Sequence, residues 1–293
     1  MEYQIQHTTT YQYSDIVTVC QNLAHLTPST TAQQTCLESR LEIIPEPSVL
    51  HEFTDYFGNT IHYFEVAEPH DRLTVIAQSR VLRTSVEPPL YNLPWEEVRT
   101  ILHHSTQPEI RRLRQFTLDS PMIQQMAALR DFVIPSFPAG RPILEAVMDL
   151  TERIFRLFRY QSHVTTITTP LAKVMEQRRG VCQDFAQVAI GALRSLGLAA
   201  CYVSGYLETL PPLGRPRMVG SDASHAWFAV FIPDYGWVEF DPTNNLRPTD
   251  RHITIAIGRD YADVTPLKGI VLGGGKETLT VAVDVERRGY ISN

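Results

Sequence analysis

Hydrophobic periodicity turns from strand-like to helical partway along this chain, and that change limits what it can build. Up to about residue 85 the apolar residues recur at strand spacing: Tyr11, Tyr13 and Val17, then Leu37, Leu41, Ile43, Phe53, Tyr63, Phe64, Leu73, Val75 and Val81, with turn residues between them. Asp55-Tyr56-Phe57-Gly58-Asn59 reads as a hairpin turn, because Gly and Asn tolerate positive φ. Pro88, Pro89 and Pro94 then interrupt regular structure, and from Ser120 the period becomes helical. The expected organisation is an antiparallel β-sandwich over 1–86, a linker region over 87–118 and a second domain over 119–293.

In that second domain Ser120-Pro121 and Pro142 mark helix starts, and Thr169-Pro170 starts a third helix that Gly180 would end. Val181, Phe185, Val188, Ala189, Ala192, Leu193 and Leu196 then recur at steps of three and four as far as Gly197, the pattern of an apolar-faced helix. Residues 199–207, 225–232 and 237–240 read as strands, and 253–257 and 279–285 add more. Helices followed by a sheet make this half α+β, a core of helices packed on an antiparallel sheet.

At 293 residues and 43% hydrophobic, the chain has enough apolar material for two folded domains. A net charge of −6 argues against nucleic acid or an anionic membrane as a partner. Met1 to Gln6 carries no basic or apolar leader, and no later run approaches the roughly 18 apolar residues of a membrane span. A soluble cytoplasmic protein of bacterial type is the expectation. The four cysteines show no CxxC spacing, which favours reduced thiols over a disulfide scaffold. Neither a metal nor a cofactor is expected: HExxH spacing is absent, and Gly273-Gly274-Gly275-Lys276 precedes a strand and reads as a hairpin turn rather than a phosphate loop.

Cys182 stands where the apolar-faced helix begins. A helix amino terminus presents unpaired N–H groups and partial positive charge, which favour thiolate over thiol and can hold an oxyanion. Cys201 lies in an apolar strand, and Cys20 and Cys36 lie in the β-rich part with no evident base. His225 and Asp241 are sixteen residues apart with Pro233 midway, so a hairpin symmetric about Pro233 would set them opposite each other on one face. A carboxylate could then hold one ring nitrogen while the other faces the thiol. Gln183 and Asp184 follow the thiol and are candidates for shaping the site. Trp227 and Trp237 share the predicted face and are candidate walls of a substrate channel. Arg259, Asp260 and Asp263 read as a structural ion-pair network.

Gly-Val-Cys-Gln-Asp-Phe-Ala at 180–186, Tyr-Val-Ser-Gly-Tyr-Leu at 202–207, Ser-His-Ala-Trp at 224–227 and Gly-Trp-Val-Glu-Phe-Asp-Pro-Thr-Asn at 236–244 resemble the bacterial transglutaminase-like superfamily. Gly258 to Val264 and the β-rich opening resemble further parts of the same family. The resemblance implies a papain-like core with Cys182 as nucleophile, His225 as general base and then acid, and Asp241 orienting the imidazole. Gln187 and Cys201 depart from the family pattern, in which histidine and arginine are common. The expected activity is cysteine-dependent acyl transfer through a thioester, as a protease, peptidase or amidase acting on a peptide or protein. The alternatives are a protein transglutaminase, in which an amine replaces water, and an inactive binding or scaffold protein. No oligomeric state is implied.

Overall fold

A computed structural model describes residues 1–84, 93–209 and 223–288. The chain opens with five strands, β1 (Glu2–Ala24), β2 (Gln34–Ile44), β3 (Val49–Thr54), β4 (Thr60–Val66) and β5 (His70–Arg83). Helices α1 (Trp95–His104), α2 (Pro108–Leu113), α3 (Ala127–Val133) and α4 (Ile143–Leu157) follow. Two short strands, β6 (Arg159–Tyr160) and β7 (Arg179–Gly180), bracket α5 (Leu171–Gln177) and pair in parallel just before α6 (Cys182–Ser195). Then come β8 (Ala200–Leu207), β9 (Ala223–Ile232), β10 (Gly236–Phe240), β11 (His252–Gly258), β12 (Leu267–Gly273) and β13 (Glu277–Arg288). Among the described residues no helix is long and apolar enough to cross a membrane.

The sandwich is one antiparallel sheet folded over on itself, because β1 runs through both halves. Its first half pairs with β5 and its second with β4, and the order across the sheet is β2-β5-β1-β4-β3. Tyr13, Val17 and Cys20 of β1 share a buried cluster with Phe64 and Val66 of β4 and with Leu73, Val75 and Ala77 of β5. Asp55 closes the β3–β4 hairpin, its Oδ1 accepting the Phe57 and Asn59 N–H groups at 2.8 Å each, with Gly58 at φ 89°.

The expected domain limits need two corrections. First, β12 and β13 belong to the N-terminal sheet: Val17–Ala24 of β1 pairs with β12 and Glu2–Tyr13 with β13. The glycines at 273–275 therefore make a corner between strands laid end to end along β1, not a hairpin. All three have positive φ, and Gly274 exchanges hydrogen bonds with Asp15 and Ile16 where β1 bends. Second, much of the expected linker is helix. Pro94, which read as a breaker, caps α1, and Pro108 is the first residue of α2, so both prolines start helices, where the missing N–H costs nothing. Residues 85–92 lie outside the described ones.

The helical segment also differs in detail. Ser120 starts no helix; it sits in a tight turn with Ile123, its Oγ accepts from Arg194, and α3 begins at Ala127. Arg178, in the left-handed conformation at φ 48°, ends α5 in place of Gly180. The start of α4 at Ile143 and the turn at Gly197 (φ 78°) after α6 follow the sequence pattern.

The second sheet has the order β10-β9-β8-β11, all antiparallel. Phe185, Val188, Ala189 and Ala192 of α6 pack with Tyr202, Phe228 and Val230 of one face, in a core that also takes in Tyr3, Ile5 and Val81 of the N-terminal sheet. The opposite face, with Cys201, Val203, Trp227 and Ala229, buries itself against Leu102 and Phe116. The two halves of the chain thus share one core.

Candidate functional site

The start of α6 is fixed by its own third residue. Val181 is extended, and the Asp184 Oδ2 folds back to accept the Val181 N–H at 2.8 Å and the Thr165 hydroxyl at 2.7 Å. Burial pushes the Asp184 carboxyl up, against the pull of those two bonds. A Cβ on Gly180 would collide with this carboxylate, so glycine is required there by close approach. Asp184 is thus a helix cap tying the 165 loop to α6. Cys182 is the first helical residue, half-buried, at the positive end of the helix.

His225 lies near the start of β9, and Asp241 immediately follows β10. His225 Nε2 stands 2.8 Å from Asp241 Oδ2, with the two side chains 8% and 0% exposed. This commits Nε2 to the carboxylate and leaves Nδ1 for the thiol; Cys182 hydrogen-bonds the His225 ring. The hairpin register differs from the symmetric expectation by two residues. Gly236 pairs with Ile232 and Phe240 with Phe228, which carries Asp241 towards Trp227 and makes His225 its diagonal neighbour. A slip of two preserves the face, so the pair still meets.

Burial pushes the His225 ring down, but its bonds to Asp241 and Cys182 outweigh this and raise it to about 10. Burial would raise Asp241, yet donors from His225, His252 and Asn244 hold it well below the usual carboxylate range. Asp241 Oδ2 receives His252 Nε2 at 3.1 Å and Asn244 Nδ2 at 2.7 Å, and Oδ1 receives the Thr243 N–H at 2.9 Å.

His252 and Asn244 are functional neighbours that sequence reasoning missed. The Thr249 N–H donates to His252 Nδ1 at 3.2 Å, so Nε2 carries the proton given to Asp241, and burial keeps this ring neutral. Trp227, fully buried, lies edge-on to His252 with ring centres 5.3 Å apart, and 5.9 Å from the His225 ring. Gly205 makes room for it, since a Cβ there would strike the indole and the Ile253 carbonyl. That glycine inside a strand was the one available signal.

The remaining candidates are placed as follows. Gln183 lines the cleft beside Cys182. Trp227 supports the imidazoles from beneath, and Trp237 packs edge-on against Phe116 and Phe231, so neither indole walls the cleft. Arg259 pairs with Asp263 at 2.9 Å, and Asp260 binds the Met122 N–H at 2.7 Å. At Cys20, Cys36 and Cys201, desolvation pushes the thiol up. Ligand atoms of His225, Asp241 and His252 fall within 4.8 Å of one another, a grouping with metal-ligand spacing that sequence motifs did not reveal. All three are already hydrogen-bonded together.

The cleft has a volume of about 250 Å³ and lies between the two halves of the chain. Cys182, Gln183, Tyr202 and His225 form one side; His7, Thr9 and Tyr11 of β1 with Leu279 and Val281 of β13 form the other. His7 is locked by Tyr206 Oη at 2.7 Å and Thr9 Oγ1 at 2.9 Å, and burial pushes it down to about 4. The Tyr202 hydroxyl is close enough to Cys182 to feel its charge, and burial drives this phenol upward.

Comparison with known proteins follows the same division. Residues 3–82 match the bacterial transglutaminase-like N-terminal region, and residues 137–242 match the transglutaminase-like superfamily. An uncharacterized protein of Mycobacterium tuberculosis is 42% identical over 294 residues, covering 97% of this chain and 92% of its own. One from Mycobacterium leprae is 32% identical over 287 residues, covering 97% and 98%. A solved structure of a candidate cysteine protease from Cytophaga hutchinsonii shares the fold, with a TM-score of 0.77 at 22% identity over 99% of this chain and 92% of that one. A thiol at a helix start, an imidazole and carboxylate on neighbouring strands, and relatives aligned from end to end place the chain in the transglutaminase-like superfamily, a family of cysteine-based enzymes.

Proposed function

We propose that this protein hydrolyses peptide or amide bonds through a Cys182 thioester. The observation that carries the reading is the unbroken line from Cys182 through His225 to Asp241, opening on a cleft at a helix amino terminus. The raised His225 ring favours imidazolium, the form that can protonate a leaving amine. The thiolate attacks the substrate carbonyl carbon, and the resulting oxyanion takes the backbone N–H at the start of α6. His225 gives its Nδ1 proton to the leaving amine, the C–N bond breaks and the acyl group stays on sulfur. His225 then removes a proton from water, which attacks the thioester and returns the thiolate. Asp241 remains ionised throughout and keeps the ring oriented.

The test is incubation with casein-derived peptides, with and without n-butylamine, followed by mass spectrometry. New peptide ends, or Gln and Asn converted to acids, are expected in the wild type and not in Cys182→Ala. Amine adducts in place of hydrolysis would replace this reading with transglutaminase activity. Products that persist in Cys182→Ala would overturn the nucleophile.

A further inference from the structure

Beside the catalytic cleft lies a larger cavity of about 600 Å³, and the triad chemistry makes no use of it. Its walls are apolar: Met122 and Met126 on one side, Ile167 and Leu171 on another, and Tyr261 between it and the thiol. Tyr261 lines both cavities. The segment 265–268 divides them residue by residue, with Thr265 and Lys268 facing the larger space and Pro266 and Leu267 the cleft. The cavity is built rather than incidental. Buried Asp260 holds the Met122 N–H at 2.7 Å and the Ala262 N–H at 2.8 Å, clamping two walls together. The Thr165 bond to Asp184 ties the loop carrying the third wall to the nucleophile helix. Ile167 is 58% exposed, an apolar surface in need of a cover. Among the described residues the one charged side chain in the lining is Lys268, whose Nζ donates to the Ala262 carbonyl at 3.1 Å.

We infer that this cavity is a specificity subsite: it takes a large apolar side chain, aromatic or branched aliphatic, of the peptide whose neighbouring carbonyl Cys182 attacks. Its place next to the cleft, with Tyr261 in the wall of both, names the substrate as occupant, and Lys268 at the lining disfavours a basic side chain in that position. The inference rests on the hydrolase reading, so its test has one arm that needs no turnover.

In that arm, Cys182→Ala carrying ¹³C-methyl methionine is titrated with N-acetyl-phenylalaninamide and, separately, N-acetyl-lysinamide. Saturable shifts at the Met122 and Met126 methyls with the phenylalanine probe and not the lysine one are expected. No shift, or equal shifts with both, would overturn the subsite. In the second arm, Ile167→Asp is compared with wild type on the casein peptides. Burying one apolar side chain is worth roughly ten- to a hundredfold, so kcat/KM for peptides with an apolar flanking residue should fall by about that factor. Thermal stability and the alkylation rate of Cys182 should be unchanged. Turnover with an unaltered sequence profile in Ile167→Asp would remove the subsite and leave the hydrolase. Selective methionine shifts without turnover of any peptide would remove the hydrolase and leave the cavity as an apolar binding site.

Discussion

At the scale of single residues, the candidate site turns on two bonds to one imidazole. His225 is raised from 6.5 to about 10, so the stabilisation it gives the fold is fully present below about 6.5 and is lost as pH rises through about 10. Asp241 is depressed, so its contribution is present above the ordinary carboxylate range and is lost as pH falls below it. The difference in melting temperature between wild type and His225→Gln should therefore be greatest near pH 6 and shrink steadily towards pH 10. A difference that stays constant over that range would show that the imidazolium is not what the site stabilises. Cys182, His225 and Asp241 were legible in the sequence because each stands in a distinctive local setting. His252 was not. It arrives on β11, from the far side of β8, and only strand order brings it to the same carboxylate oxygen.

Among the elements, α6 does the most to hold the site in place. Its apolar stripe was readable from the sequence; the anchor at its far end was not. Arg194, 1% exposed, donates to the carbonyls of Phe116 at 2.9 Å, Ala200 at 3.0 Å and Arg259 at 2.6 Å, and to Ser120 Oγ at 3.0 Å. Burial pushes this guanidinium down to about 10, despite the attraction of Asp260. Arg194→Leu should destabilise the fold by about 3 kcal/mol or more, since buried acceptors lose a charged donor. Urea denaturation would measure this, and a loss below about 1 kcal/mol would mean that α6 is held by its apolar face alone. The prolines explain why α1 and α2 were missed: a proline before a helix and a proline in a loop are the same letter, and the partners that decide between them lie elsewhere in the chain.

For the whole molecule, the periodicity change at residue 85 marks a change of architecture without marking a boundary of stability. Tyr3, Ile5 and Val81 share a core with Phe185 and Phe228, and Val283 and Val285 join it from the C-terminal strands. The alternating pattern of β13 was readable, but its pairing partner, more than 260 residues away in β1, was not: strand pattern carries no address. With one core spanning both halves, calorimetry should give a single heat-absorption peak whose van't Hoff and calorimetric enthalpies agree. Two resolved peaks would mean that the halves melt separately.

The position of β12 and β13 has a temporal side. β1 leaves the ribosome before the other described strands, yet the strands along its other edge, 267–273 and 277–288, are among the last of the described residues to be synthesised. Thiol, imidazole and carboxylate all precede them in the chain. A nascent polypeptide therefore carries all three before Leu279 and Val281 have arrived to wall the cleft.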